Sequence, residues 1–444
     1  MKYLNSGFQQ PAAWKELLLD NQRLVQISLN EIEQVLHLAR QTPGLSQYET
    51  SLHKLSIFFD KAFAYYRDND PEELSGLVAL WERYSAAVLQ RYTGIMSVEL
   101  RAADHIVKNI FGRFLSQVPN HNVSYAPDAI PLVYGGEGGL GAYFTHPPAL
   151  NRPFAIINLP HSAFANVWQW LALPHEIGHD LYATVEGLDT ELETALADRM
   201  RQAVIKGEVK IPALSFDLTP YGVAQKIQYS PEDFLAALWK GWANESQGDM
   251  MGLINCGGAT IVGLQQIIGF GSAGRWSIEA GKDGHVEDAP EPHPVSYVRN
   301  ALNIAGLRLL DQGHNEFADQ IQERFDALRP PDKDVVFWFG RTRVEFARVE
   351  VAELVKSAQI AAEVLLKHPL KVLGDKSYRQ LATFTEEDQL IVNSLVEPLS
   401  KGESTFAGGH NVEARHALAA TVLAYERDRS NAHVINRCFK HFLV

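Results

Sequence analysis

The sequence predicts a mainly α-helical protein with one small β-sheet, an α+β chain. Two observations indicate this class. Apolar residues recur three and four positions apart over most of the chain, and only residues 120–160 alternate short apolar runs with glycine and proline. With 46% apolar and 21% charged residues the composition is that of a globular protein. Because 444 residues exceed one ordinary core, we expect two or three domains.

The first predicted region, residues 1–118, is entirely helical. Pro43 with Gly44, and Asp70 with Pro71, separate its helical stretches, as such residue pairs commonly do. The sequence does not indicate the role of this region.

The second predicted region, residues 119–330, begins with a sheet of about three strands over residues 120–160. Gly136, Gly138 and Gly141 match the spacing of a dinucleotide-binding fingerprint, but "AYFT" then continues as a strand where that fingerprint requires a helix. We therefore expect these glycines to form a hairpin turn.

Helical patterns resume after Ser162. They predict a helix over residues 163–186, a second helix over 231–250, and a helical C-terminal region over 331–444. The uncharged stretch Met250 to Gly274 contains seven glycines and several amides, which favours a buried pair of core helices over a membrane span.

Charge and cysteine content exclude several classes of protein. Forty basic residues against 53 acidic ones give a net charge of −13, which argues against a nucleic-acid or anionic-membrane partner. Two cysteines are too few for a disulfide framework or a cysteine-based zinc site. The first residues contain no long apolar run, so we expect a cytoplasmic protein rather than a secreted one.

The segment "LPHEIGHD" places His175 and His179 four residues apart with Glu176 directly after the first. In an α-helix these histidines lie about 40° apart around the axis, so both imidazoles can reach one ion. Glu176 points about 100° away and could act as a general base toward a water molecule. Pro174 predicts a kink or a new helix start just before the pair.

Catalytic zinc usually takes three protein ligands, so the pair requires a third. The candidates are Glu191, Glu193 and Glu245. We favour Glu245, because it falls within about 20° of Phe234 on the apolar face of the helix predicted over residues 231–250. Asp249, one turn later, could accept the second N–H of a ligating histidine and fix its tautomer.

These two segments, "HEIGH" and "NESQGD", resemble the motifs of the gluzincin metallopeptidases, the thermolysin-like group. The resemblance covers about residues 120–310 and implies a zincin-like catalytic core flanked by helical regions. It also implies that His175, His179 and Glu245 bind Zn²⁺, that Glu176 is the base, and that Asp249 orients a histidine. In that family a strand at the edge of the sheet holds the substrate backbone, and "GLGAYFTHP" occupies the corresponding place in this sequence.

The oxyanion of such a reaction needs a further hydrogen-bond donor. His293 and Tyr297 are the candidates where a loop enters a helix near Pro294, with Arg299 as a substrate contact close by. On the sheet strand, Tyr143 is a candidate substrate contact and His146 a weaker donor. We expect His410 and His416 to be structural.

The sequence thus predicts a zinc-dependent peptidase acting on peptide substrates. Two alternatives stay open: a zinc-dependent hydrolase of another amide or small molecule, and a helical interaction protein whose histidine pair is structural. The sequence does not indicate the oligomeric state or the cleavage specificity.

Overall fold

The computed structural model describes residues 10–41, 49–69, 74–91, 97–118, 131–136, 141–143, 156–217, 219, 226–266, 273–280, 286–328, 332–339, 344–403 and 411–443. The α-helices among them are α1 (Gln10–Gln41), α2 (Glu49–Asn69), α3 (Leu74–Leu89), α4 (Ser97–Leu115), α5 (Ala172–Thr184), α6 (Leu188–Ile205), α7 (Pro231–Gly241), α8 (Ala243–Cys256), α9 (Gly258–Gln265), α10 (Ser296–Leu310), α11 (Asn315–Leu328), α12 (Val351–Lys367), α13 (Tyr378–Leu381), α14 (Glu386–Lys401), α15 (Ala414–Arg427) and α16 (Ala432–Leu443).

The strands are β1 (Leu132–Gly136), β2 (Gly141–Tyr143), β3 (Ile156–Pro160), β4 (Leu214–Asp217), β5 (Lys226–Tyr229), β6 (Ala273–Ala280), β7 (Val286–Pro290), β8 (Asp334–Phe339) and β9 (Glu345–Glu350). In the described part of the chain they form three sheets, with orders β1-β3-β2, β4-β5 and β7-β6-β8-β9. The predicted class, mainly α with small β-structure, is confirmed. The expectation of a single sheet is wrong, because two further sheets follow residue 200.

The first sheet contains the three expected strands, but their order differs from a simple hairpin. β3 lies in the middle, parallel to β1 and antiparallel to β2. The glycine segment therefore does not join two paired strands as a hairpin turn would. β2 is an edge strand, as expected for "GLGAYFTHP".

The chain divides into two compact units, Met1–Asp104 with Val123–His161, and His105–Asn122 with Ser162–Val444. This division differs from the three predicted regions. Residues after 330 belong to the same unit as the histidine pair, so no unit boundary falls at the predicted position.

The first unit packs α1, α2 and α3 against one another and α3 against β1. Its core is aromatic, with Phe59 and Trp81 in edge contact at 5.7 Å. Arg91 and Asp104 form an ion pair of 2.6 Å, and Arg91 also donates to the Val133 carbonyl. The predicted helical character of the N-terminal region is confirmed for its described residues.

The second unit is built around α8, which packs against α5, α9, α10, α12 and α15. Every side chain of α9, and nearly every one of α8, is buried. This confirms the expected buried helix pair up to Gln265. No described helix is both long and apolar enough to cross a membrane.

The histidine pair lies on α5, which is shorter than predicted. Residues 161–171 form two 3-10 segments, and the α-helix extends only from Ala172 to Thr184. Pro174 is the third residue of this helix, where the backbone N–H has no partner within the helix and its loss costs nothing. A new helix start before His175 is thus confirmed.

The predicted helix over residues 231–250 is two helices. Ser230 caps α7 by accepting a hydrogen bond from the Asp233 backbone N–H, and α7 ends at Gly241. Trp242 joins it to α8 with φ −90° and ψ −1°. The angular count that put Glu245 on the face of Phe234 assumed an unbroken helix and is therefore invalid, although Glu245 is indeed buried.

Candidate metal centre

Three side chains from two crossing helices converge in the second unit: His175 and His179 of α5, and Glu245 of α8. Their ligand atoms all lie within 4.8 Å of one another. His175 Nε2 is 3.3 Å from Glu245 Oε2, and His179 Nε2 is 3.4 Å from Glu245 Oε1. The two imidazole rings are 4.5 Å apart between centroids and nearly perpendicular. This group could hold a metal ion.

These donors lie close enough together to share one ion. Zinc bonds to imidazole nitrogen and carboxylate oxygen are about 2.0–2.2 Å, so two donors at the tetrahedral angle lie about 3.3–3.6 Å apart. Each histidine Nε2 lies at such a distance from one oxygen of Glu245, His175 from Oε2 at 3.3 Å and His179 from Oε1 at 3.4 Å. Two imidazoles and one carboxylate are also a donor set found in catalytic zinc sites. The residues therefore fit the metal that the sequence suggests.

The other two candidate third ligands, Glu191 and Glu193, form hydrogen bonds away from the histidine pair. Glu191 accepts hydrogen bonds from the backbone N–H groups of Lys371 and Val372, at 2.6 and 3.1 Å. Glu193 accepts one from the Tyr182 hydroxyl at 2.9 Å. Of the three acids considered from the sequence, only Glu245 joins the histidine pair.

The other nitrogen of each imidazole faces a second acceptor. His179 Nδ1 lies 2.9 Å from Asn244 Oδ1, within hydrogen-bond geometry. His175 Nδ1 lies 3.0 Å from Asp249 Oδ1, at an angle too poor for a hydrogen bond, so this contact is electrostatic. Both arrangements favour Nε2 as the metal-facing nitrogen. Asp249 lies where the resemblance implied, whereas the role of Asn244 was not predicted although it directly precedes Glu245.

Arg299 neutralises the acidic side of the cluster. Its guanidinium donates two hydrogen bonds to Asp249, at 2.8 and 2.7 Å, and lies 3.1 Å from Glu245 Oε2. Asn303, one turn later on α10, donates to Asp249 Oδ2 at 2.8 Å, the oxygen that also accepts from Arg299 Nε. Arg299 is only 5% exposed. Its donors are directed at buried carboxylates, and a substrate contact by Arg299 stays a prediction. Asn303 was missed, although its i+4 spacing from Arg299 could have indicated it.

The charges of the cluster shift one another's pKa values. Burial alone would lower the pKa of His175, but Asp249 and Glu245 outweigh it and raise the value to about 10. Burial alone would raise the pKa of Glu245, yet the three surrounding histidines, including His293, hold it far below the ordinary range. Burial alone would also raise the pKa of Asp249, but Arg299 and His175 hold it below its ordinary value. Both carboxylates therefore stay ionised, as metal ligation and histidine orientation require.

Glu176 lies beside this cluster and is 5% exposed. Its Oε2 atom is buried and has no hydrogen-bond partner among the described residues. An unsatisfied buried carboxylate oxygen is costly, and such groups are frequent at functional sites. Glu176 is thus available to accept a proton from a group that enters the site.

His293 reaches the cluster from the loop before α10. Its Nε2 lies 3.2 Å from Glu245 Oε1, while 61% of its side chain remains exposed. Glu245 raises the pKa of His293, against the opposing effect of burial. The structure therefore brings this predicted donor to the site.

Tyr297 is directed elsewhere. Its hydroxyl donates to Asp326 Oδ1 of α11 at 3.0 Å, and its ring contacts Phe325. In this structure that hydrogen bond holds the hydroxyl on α11, and a donor role for Tyr297 stays a prediction.

Three further predicted residues lie wholly or partly outside the described residues. The side chain of Tyr143, and all of His146 and His410, lie outside the described residues. His416 is structural, as expected: its Nδ1 accepts from the Glu413 backbone N–H and its Nε2 lies 2.8 Å from Asp388.

No protein-family model, curated protein or solved structure matches this chain. Its function is therefore inferred from the geometry of the site and from the resemblance of the two motifs.

Proposed function

We propose that this chain is a zinc-dependent peptidase in which His175, His179 and Glu245 bind the ion and Glu176 is the general base. One observation carries the proposal: three donors of the types that zinc prefers lie within 4.8 Å of one another, and the neighbouring Glu176 has a buried carboxylate oxygen with no hydrogen-bond partner among the described residues. The likeness of "HEIGH" and "NESQGD" to the gluzincin motifs supports the same interpretation.

A zinc ion bound here would supply Lewis-acid chemistry toward water and a substrate carbonyl. Glu176 accepts a proton from the attacking water and delivers it to the leaving amine nitrogen. Asn244 and Asp249 hold the imidazoles in the orientation that turns Nε2 toward Glu245. Arg299 and Asn303 in turn fix the position of Asp249.

His293 is the proposed donor to the oxygen that becomes negative during the reaction. Its imidazole is exposed enough for a substrate to reach it. Because Glu245 raises its pKa, the protonated form with two N–H donors is favoured.

The first test is the substitution Glu176→Gln, which keeps the size of the side chain but removes the base. We expect this variant to retain one zinc per chain and to lose peptide hydrolysis by about 10²–10⁴-fold. Glu186→Gln, at an exposed position just after α5, is the matched control and should hydrolyse like the wild type. A Glu176→Gln variant with full activity would refute the role of Glu176.

Substrate profiling separates the proposal from its alternatives. The wild-type protein should cleave members of a mixed peptide library. A zinc-loaded protein that cleaves no peptide but hydrolyses small amides would contradict the peptidase assignment while leaving the metal site intact. A fully folded protein with no affinity for zinc would contradict both.

A further inference from the structure

We propose that Gly178 and Gly248 position the ligand residues by allowing α5 and α8 to cross in backbone contact. We call this pair the glycine crossing. The inference rests on the proposed metal site and assigns a positioning role to two residues that neither bind the ion nor touch substrate.

At Gly178 the two helices are too close for any side chain. A Cβ atom there would lie 2.7 Å from the Cα of Gly248 and 3.1 Å from both Gln247 Oε1 and Met251 Cγ. The nearest atom is backbone, so it cannot rotate away. Alanine at this position would have to push α5 and α8 apart.

At Gly248 the obstacle is a ligand. A Cβ atom there would lie 2.7 Å from His175 Nδ1, 2.8 Å from His175 Cε1 and 3.1 Å from the His175 carbonyl oxygen. Because the imidazole is rigid, moving Nδ1 also moves Nε2, which lies 3.3 Å from Glu245 Oε2. A single methyl group at Gly248 would therefore change the position of His175 Nε2 relative to Glu245.

The same spacing occurs on both helices. On α5, Gly178 follows His175 by three residues and precedes His179 by one; on α8, Gly248 follows Glu245 by three and precedes Asp249 by one. Positions i, i+3 and i+4 share one face of a helix. Each glycine thus lies between two site residues, at the point where the helices meet. Alanine is the better helix former, so steric contact rather than helix propensity explains glycine at both positions.

Gly252 provides a matched control on the same helix. A Cβ atom there would be equally crowded, at 2.5 Å, but the atom it meets is Thr260 Cγ2 on α9. Gly248→Ala and Gly252→Ala therefore make the same chemical change with similar overpacking, and only the first acts on His175.

The experiment compares zinc affinity by chelator competition in the wild type, Gly248→Ala and Gly252→Ala. We expect Gly248→Ala to bind zinc about 10–100-fold more weakly, as loss of an outer support to a metal ligand typically does, and Gly252→Ala to stay near the wild type. Wild-type affinity in Gly248→Ala, or an equal loss in Gly252→Ala, would overturn the proposal. If Gly248→Ala does not fold, the zinc affinity of Gly178→Ala is measured in its place. Wild-type zinc affinity in Gly178→Ala would overturn the proposal.

A metal-independent measurement distinguishes this proposal from the proposed function. In metal-free protein labelled with ¹⁵N-histidine, the His175 ring signals can be assigned by their loss in His175→Gln. They should shift in Gly248→Ala and stay unchanged in Gly252→Ala. Unshifted signals in Gly248→Ala would overturn the glycine crossing, whereas a wild-type protein that binds no zinc would contradict the zinc peptidase instead.

Discussion

Each histidine of the pair turns one ring nitrogen toward Glu245 and the other toward an acceptor on α8. The sequence alone predicts the histidine pair, because a spacing of four residues along a helix puts two side chains on one face. The choice of Glu245 relied on a helix that is in fact broken at Trp242, so for Glu245 and Asp249 the motif resemblance was the better guide. The sequence does not predict the partners that come from α10. Arg299 was expected near the substrate, and its pairing with two buried carboxylates that need a counter-charge was not predicted.

The stability of the metal-free protein should depend on pH through His175. Its pKa rises from 6.5 to about 10 on folding, so the folded state binds the proton more tightly than the unfolded state. The resulting stabilisation is complete below about pH 6.5 and is lost as the pH rises toward 10. Between pH 6.5 and about 8.5 we expect the free energy of unfolding to fall by on the order of 2 kcal/mol.

Urea unfolding in the presence of a chelator, repeated across this range, measures the effect. His175→Gln is the control, since it lacks the titrating group and should give a flatter profile. Identical slopes in the two proteins would show that His175 is not the source.

At the scale of elements, the single helix predicted over residues 231–250 shows where sequence patterns are insufficient, because the structure has two helices there, α7 and α8. The start of α7 at Ser230 is predicted, because its capping residue and Pro231 are local features. The break at Trp242 is not predicted, although Gly241 directly before it is a residue type that commonly ends a helix. Trp242 is buried, and its Nε1 donates a hydrogen bond to the Glu291 carbonyl at 3.1 Å.

Because α7 and α8 are separate helices, we expect a change that weakens the cap of α7 to leave the position of Glu245 on α8 unchanged. Ser230→Ala should lower the free energy of unfolding by about 1 kcal/mol, through loss of the cap. Zinc affinity should not change, because Glu245 is held by the packing of α8. Ser230→Asp retains a capping oxygen and should remain close to the wild type. Denaturant unfolding and zinc titration test both statements, and a loss of zinc affinity in Ser230→Ala would contradict the second.

The strands after residue 200 were missed for a related reason. β7 lies in a segment that resembles an acidic, proline-rich loop, and it becomes a strand by pairing with β6. β6 in turn pairs in parallel with β8, some sixty residues later. Such strands depend on distant partners more than on their own composition, so local patterns do not reveal them.

At the scale of the whole molecule, the C-terminal helices belong to the unit that holds the site. α12 packs against α6 and α10, and Trp239 Nε1 donates to Ser357 Oγ at 2.9 Å. Gln247 of α8 donates to the Tyr378 hydroxyl at 3.0 Å. No boundary between the two units falls at the predicted residue 330. Helical periodicity shows which face of a helix is buried, but not which element covers it.

A chain ending at residue 330 should therefore lose the site together with the missing helices. We expect it to unfold without a cooperative transition and to bind no zinc, because α8 would lose its packing against α12 and α15 and α10 would lose its packing against α12. Circular dichroism melting and zinc titration, with the full chain as reference, measure both properties. A truncated chain with a wild-type transition would show that residues after 330 form a separate unit.

The most direct test of the central claim is zinc titration of Glu245→Gln beside Glu191→Gln, by competition with a chelator of known affinity. Two imidazoles and the Glu245 carboxylate bind the ion in this account, so the wild type and Glu191→Gln should each bind one zinc with the same affinity. Glu245→Gln should bind it at least 100-fold more weakly, by the loss of about 3 kcal/mol or more. Equal affinity in Glu245→Gln and the wild type would contradict the account.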